Sequence, residues 1–396
     1  MALMQLNLRA ISTIAMSGLI LVVIYLSLTR SVSTSPLQLS RPHFGKLDSS
    51  PSDLLQDVFN QTLGFQKILV INLPSRTDHR DAMSLAAAFT GLEIDYVDGV
   101  TNVTNKTLPP GASEVGMSPG GLGAWRAHVN VARLMVEQNI QSALVLEDDA
   151  DWDIRIKQQM RDFAKASRLL VQPLQGTNDT FLDPTYPQPR PGQKPSSFDI
   201  SETSSGEPTT SPYGDLDRWD LLWLGHCGCR FPFLSDGNVP LGRAVVSNDN
   251  TVPKKDLINV EFGDNQLQSQ YPDYTRVVSR ARVNTCTLGY ALSQQGARRM
   301  LYELGLHKMT GTTDMMFRSV CDGVDGRDLM TCLTVQPQLF QHHRAVGPKT
   351  KFSDINEDES GEYIDKASTA NVRWSTRMNF RKLVNGQTDF TDQYPD

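Results

Sequence analysis

Three short apolar runs constrain this chain most: Lys67-Ile-Leu-Val-Ile71, Ser142-Ala-Leu-Val-Leu146 and Asp220-Leu-Leu-Trp-Leu224. A strand with one face in water alternates apolar and polar residues, whereas a continuous run is covered on both faces. Between the runs lie helical patterns, over about Arg76–Phe89, Pro119–Gln138 and through Leu170, and Glu93–Val97 reads as a further strand. Strands alternating with helices predict an α/β fold with a mainly parallel central sheet. In such sheets ligands sit beyond the carboxyl ends of the strands.

The 396 residues carry 38 Lys plus Arg against 44 Asp plus Glu, a net charge of −6, so no nucleic-acid partner is expected. The five cysteines are too few for a disulfide scaffold. In an oxidising compartment Cys321 can pair with Cys332, and Cys227 or Cys229 with Cys286, leaving at least one thiol free. Ala10–Thr29 is uncharged between Arg9 and Arg30. As a helix it spans about 30 Å, the thickness of a bilayer core. Its length exceeds a signal peptide's apolar region of about 7–15 residues. The expected order is a cytosolic tail (1–9), a transmembrane signal anchor (10–29) and a stem (30–64). A catalytic domain (65–350) with a disordered Pro/Ser/Thr-rich insertion at 171–217 follows, then a C-terminal extension (351–396). Four Asn-x-Thr acceptors, at Asn60, Asn102, Asn105 and Asn178, place the body in the lumen. A single-pass type II protein of the Golgi or endoplasmic reticulum membrane is expected.

The chemistry concentrates at strand ends. The run Leu144-Val-Leu-Glu-Asp-Asp-Ala-Asp-Trp-Asp153 closes a buried strand with Glu147, Asp148 and Asp149. Clustered carboxylates repel unless a cation relieves them, and Mn²⁺ or Mg²⁺ takes oxygen ligands while keeping positions open for phosphates. An EF-hand is excluded, because Ile154 and Met160 stand where it needs Gly and Glu. Asp151 or Asp153 reads as the cap of the next helix. After the first strand, Ile71-Asn-Leu-Pro-Ser-Arg-Thr-Asp-His-Arg80 offers a helix start capped by Ser75, with Arg76 and Arg80 as a diphosphate cradle. In Ser118-Pro-Gly-Gly-Leu-Gly-Ala-Trp-Arg-Ala-His128, Ser118 caps a helix, and Gly120, Gly121 and Gly123 mark close approach by a ligand or another backbone. His128 lies on the flank of that helix's apolar stripe, where a core histidine and a catalytic one both remain open.

Together these segments resemble glycosyltransferase family 25, the group of lipooligosaccharide and collagen galactosyltransferases. The family's opening motif matches Ile71, Asn72, Leu73, Arg76, Asp78 and Arg80; its glycine–histidine segment matches Gly120 or Gly121, Gly123 and His128. Its Glu-Asp-Asp strand end matches Glu147, Asp148 and Asp149, and Trp219–Gly225, Thr287–Ala297 and Thr313-Asp314 follow in order. Ala124 and Ala127 replace the usual Cys and Ser, and Cys227-Gly-Cys229 has no counterpart.

The resemblance implies a GT-A-like nucleotide-sugar-binding fold, Mn²⁺ (or Mg²⁺) and inverting transfer of a hexose, foremost galactose from UDP-galactose, to a glycan or glycoprotein. It assigns Asn72, Leu73, Arg76, Arg80, Gly123 and Asp148 to the UDP-sugar, and Glu147, Asp149 and a C-terminal His342 to the metal. Asp314 is then the base facing the acceptor, with His128 a second catalytic candidate. The rival reading is a non-catalytic luminal binding or chaperone protein that keeps the fold. A hydrolase is disfavoured, because adjacent acids cannot flank a bond at the usual separation of about 5–9 Å.

Overall fold

The computed structural model describes residues 51–355 and 361–396. The expected tail, anchor and most of the stem lie outside the described residues. Among the described residues no helix is long and apolar enough to cross a membrane.

Thirteen strands matter for the site: β1 (Lys67–Asn72), β2 (Asp95–Asp98), β3 (Ser142–Glu147), β4 (Ala150–Trp152), β5 (Ser197–Asp199), β6 (Leu221–Gly225), β7 (Gly228–Cys229), β8 (Arg243–Val246), β9 (Phe262–Gly263), β10 (Arg276–Arg280), β11 (Gly289–Ser293), β12 (Cys332–Gln336) and β13 (Phe340–Arg344). The main sheet runs β2-β1-β3-β11-β6-β12-β10-β8-β5. β11 is antiparallel to both its neighbours and β10 to both of its own, while the remaining pairs are parallel. All strands of this path except β10 and β11 therefore point the same way, a mixed α/β sheet of mostly parallel sense that fits a GT-A-like fold.

Both faces are covered, as continuous apolar runs demand. In β3, Leu144 and Leu146 enter one core with Met83, Met160 and Phe163 from the Thr77–Thr90 and Ile156–Val171 helices. Ala143 and Val145 enter a second core with Trp125, Met300 and Phe317 from the Pro119–Glu137, Gln294–Tyr302 and Thr313–Asp322 helices. β1, β6 and β12 divide their side chains the same way, each alternate residue facing one core. The Pro119–Glu137 helix starts as expected, with Gly121 N donating to Ser118 Oγ at 3.1 Å. The Thr77–Thr90 helix departs from expectation: its N-cap is Arg76, and no side chain caps it.

The insertion at 171–217 corrects the expectation of disorder. Tyr213 is fully buried, stacks on Phe65 with ring centroids 4.6 Å apart, and donates its hydroxyl to the Leu63 carbonyl. Asp183 accepts from Gly242 N at 2.7 Å and Thr185 Oγ1 at 2.6 Å, and β5 pairs with β8 at the sheet edge. A few widely spaced anchors order a segment whose average composition is polar. The end of the stem is likewise part of the body, since Val58 and Leu63 are fully buried in the first core.

β3 leads through a short turn into β4, which pairs antiparallel with β13, while β13 touches β6 at Phe340 and Gly225. A Cβ at Gly225 would fall 2.9 Å from Phe340 Cβ, so glycine is what lets β13 cross there. This ribbon stands off the carboxyl end of β3.

Candidate functional site

Glu147 closes β3, and its Oε1 accepts from Thr287 Oγ1 at 2.7 Å. His128, buried on the Pro119–Glu137 helix, sets Nε2 3.4 Å from the same oxygen and bonds Tyr290 through Nδ1 at 2.9 Å. Burial by itself would raise the Glu147 pKa. The His128 contact, the His342 field and the Thr287 hydroxyl outweigh it and hold the carboxyl down at about 2.

Asp149 lies in the turn, where its carbonyl accepts from His343 N at 2.9 Å. Its Oδ2 is 3.4 Å from Arg344 Nη1 and 3.9 Å from His342 Nε2. His342 reaches it because β13 pairs His342 with Ala150. One ligand atom each from Glu147, Asp149 and His342 lies within 4.8 Å of the others, and none of the three residues is fully buried. Two carboxylates with one imidazole suit Mn²⁺, since carboxylate favours hard ions and imidazole the transition metals. The three residues assigned to a metal are thus brought together.

Asp148 turns the other way. Its Oδ2 accepts from Asn72 Nδ2 at 2.7 Å and its Oδ1 meets His79 Nδ1 at 2.8 Å, while its carbonyl accepts from Arg377 Nη2 at 2.8 Å. Asn72 Oδ1 is buried without a partner. Asp148 and Asn72 therefore fasten the turn after β3 to the end of β1.

The expected cradle of Arg76 and Arg80 is not assembled. Arg76 is taken up by Asp78 at 3.0 Å, Asp354 at 2.5 Å and the Lys351 carbonyl at 3.0 Å, and it also meets His79. The Arg76 hydrogen bond holds the Asp78 carboxyl at about 2. Arg80, one helical turn beyond Arg76, is exposed and stacks on Tyr96 of β2 at 4.0 Å. Leu73 packs at Gly99, where a Cβ would fall 2.8 Å from Leu73 Cδ2. Two glycines of the Pro119–Glu137 helix admit backbone: a Cβ at Gly123 would lie 2.0 Å from the Val100 carbonyl oxygen, and one at Gly120 2.6 Å from that of Asp354, whereas Gly121 faces only the Ser118 and Met117 side chains.

Asp314 stands in the first turn of the Thr313–Asp322 helix. Its Oδ1 accepts from Thr312 Oγ1 at 2.6 Å and Met315 N at 3.0 Å, and its Oδ2 from Cys286 N at 3.1 Å. Asp314 thus holds the turn whose next residue, Thr287, holds Glu147. Asp153 accepts from Arg155 N at 2.9 Å just before the helix, and Asp151 is buried elsewhere, in contact with Thr369, Ser375 and Arg377 of the C-terminal segment.

Sequence reading missed Thr287, Arg344 and the C-terminal brace. Thr287 opens a matched segment but is an ordinary hydroxyl until folding sets it against Glu147. Arg344 was accessible to period-two reasoning, lying two residues beyond His342 on β13.

Residues 65–186 match the family model described as Glycosyltransferase family 25 (LPS biosynthesis protein). Among curated relatives, mouse (Mus musculus) procollagen galactosyltransferase 2 is 26% identical over 121 residues, covering 26% of this chain and 19% of its own length. Its human (Homo sapiens) counterpart is 25% identical over 111 residues, covering 25% of this chain and 18% of its own. The matched region spans about a fifth of these relatives' length. The family-model match at 65–186 contains the Asn72 motif, the glycine–histidine segment and the Glu147-Asp148-Asp149 strand end.

Proposed function

We propose that this chain is a metal-dependent, inverting glycosyltransferase of family 25 that transfers galactose from UDP-galactose to a glycan or glycoprotein acceptor. One observation carries the reading: the Glu-Asp-Asp strand end of the matched region delivers Glu147 and Asp149 to the same point as His342, far along the chain. Glu147, Asp149 and His342 are the residues that would hold Mn²⁺, which supplies positive charge against the leaving diphosphate.

The chain's own groups fill the remaining roles. Thr287 and His128 aim Glu147 and keep it ionised. Arg344, partly exposed beside Asp149, adds positive charge at the mouth of the site. Asp314 is the proposed base for the acceptor hydroxyl, because its Oδ2 carries one hydrogen bond and keeps a lone pair. A secretory-pathway setting, with the body luminal and anchored by residues 10–29, accords with the exposure of Asn60, Asn102, Asn105 and Asn178 and with the disulfides Cys227–Cys286 and Cys321–Cys332.

The test is a screen of nucleotide sugars for Mn²⁺-dependent donor hydrolysis, which requires no knowledge of the acceptor. UDP-galactose is expected to be turned over fastest. Preference for a GDP-sugar overturns the donor assignment. Failure to bind UDP with Mn²⁺ present, read by calorimetry, overturns the enzyme in favour of a binding protein.

A further inference from the structure

The Cys227-Gly-Cys229 motif has no place in the matched family pattern, and the fold gives it one. β9 lies directly on Gly228: a Cβ there would fall 1.5 Å from the Phe262 carbonyl oxygen, so only glycine fits between the two cysteines. Cys229 is a buried free thiol beside His226, with Sγ 3.6 Å from Nε2, and burial pushes its thiol pKa up, leaving it unreactive. Cys227 forms a disulfide with Cys286.

We propose that the Cys227–Cys286 disulfide is a positioning device for the metal ligands Glu147 and His342, a role that rests on the metal-dependent reading above. At one end, Cys227 Sγ lies 3.9 Å from His342 Nδ1. The other imidazole nitrogen, Nε2, faces Asp149. A sulfur beside Nδ1 favours the tautomer with its proton there, leaving the Nε2 lone pair for a cation. At the other end, Cys286 directly precedes Thr287, whose hydroxyl holds Glu147 at 2.7 Å. Cys286 sits at φ 60°, a left-handed conformation unfavourable for a residue with a Cβ. Three further contacts hold it there: Asp314 Oδ2 accepts from its N–H, Trp223 Nε1 donates to its carbonyl at 2.9 Å, and Thr285 bridges to Gly228. A single covalent bond therefore ties the neighbour of one ligand to the support of another. The ligands themselves come from strands β3 and β13, which do not pair with each other.

The test measures Mn²⁺ affinity from the paramagnetic signal of the free ion, alongside thermal melting, in the native chain and in two double variants. Cys227→Ser with Cys286→Ser removes the bond at the site. Cys321→Ser with Cys332→Ser removes the other disulfide, at the far end of the helix that carries Asp314. The first variant, still folded, is expected to bind Mn²⁺ about 10–100-fold more weakly. The second should lose melting temperature yet keep its affinity within about twofold. Equal affinity in the native chain and the folded first variant overturns the positioning role alone, as does equal weakening in both variants. Absence of Mn²⁺ binding by the native chain overturns the metal reading and this role with it. Should the first variant fail to fold, Thr287→Val decides. About tenfold weaker binding supports the linkage, and unchanged binding overturns it.

Discussion

Asp149 and Asp151 stand two residues apart, and each faces a histidine of β13, yet their surroundings are opposite. Asp151 is completely buried and its oxygens are filled. Thr369 Oγ1 donates at 2.6 Å, Arg377 N at 3.1 Å and Trp152 N at 2.8 Å, Ser375 also donates, and His343 Nδ1 stands 3.6 Å away. Asp149 is only partly buried, and its carboxylate meets Arg344 at 3.4 Å and His342 at 3.9 Å. A saturated carboxylate braces structure, whereas one with unfilled lone pairs is available to a cation. Spacing alone does not separate these roles; the number of donors reaching each acid does.

The sharpest way to break this contrast is Asp149→Asn, which should lower Mn²⁺-dependent donor turnover by about a thousandfold, roughly 4 kcal/mol, with little change in melting. A comparable loss of stability would place Asp149 among the braces. Next in size, Asp151→Ala should cost about 3 kcal/mol in denaturant unfolding, because it leaves the Arg377 guanidinium without a counter-charge and removes the acceptor of Thr369 and Ser375. Burial alone would raise the Asp151 pKa, but His343, Arg377 and Ser375 hold it below the usual carboxylate range. A depressed folded pKa contributes stability above the unfolded value of about 4, and that stability is lost as pH falls below it. Asp151→Asn should therefore flatten the decline in stability as pH falls below about 4; an unchanged acid limb would show the brace to be neutral. The smallest effect is expected for Arg80→Ala. With Arg80 stacked on Tyr96, donor KM should stay within about twofold, and a tenfold rise would restore the cradle.

Much of the frame was legible because its signals are local. β1, β3 and β6 were readable from continuous apolar runs, and the Pro119–Glu137 helix from Ser118 and its stripe. The cap at Ser75 was misread because Arg76 takes the N-cap position and is drawn to Asp354 in a distant loop. The 171–217 segment was misread because composition averages over a stretch whose order depends on Tyr213, Asp183 and Thr185. Of the site, Glu147, Asp149 and His342 were named in advance. The separation of Asp148 from its neighbours was not, since it depends on Asn72 and His79 approaching from β1 and the helix that follows it.

Sequence alone determined that a doubly covered sheet would end one strand in three acids, for periodicity and adjacency are properties of neighbouring residues. Tertiary structure decided which of those acids meets His342, which is consumed by Asn72, and which cysteine joins the site. Those outcomes depend on long-range pairings, of β13 with β4 and of Cys227 with Cys286, that no local pattern encodes.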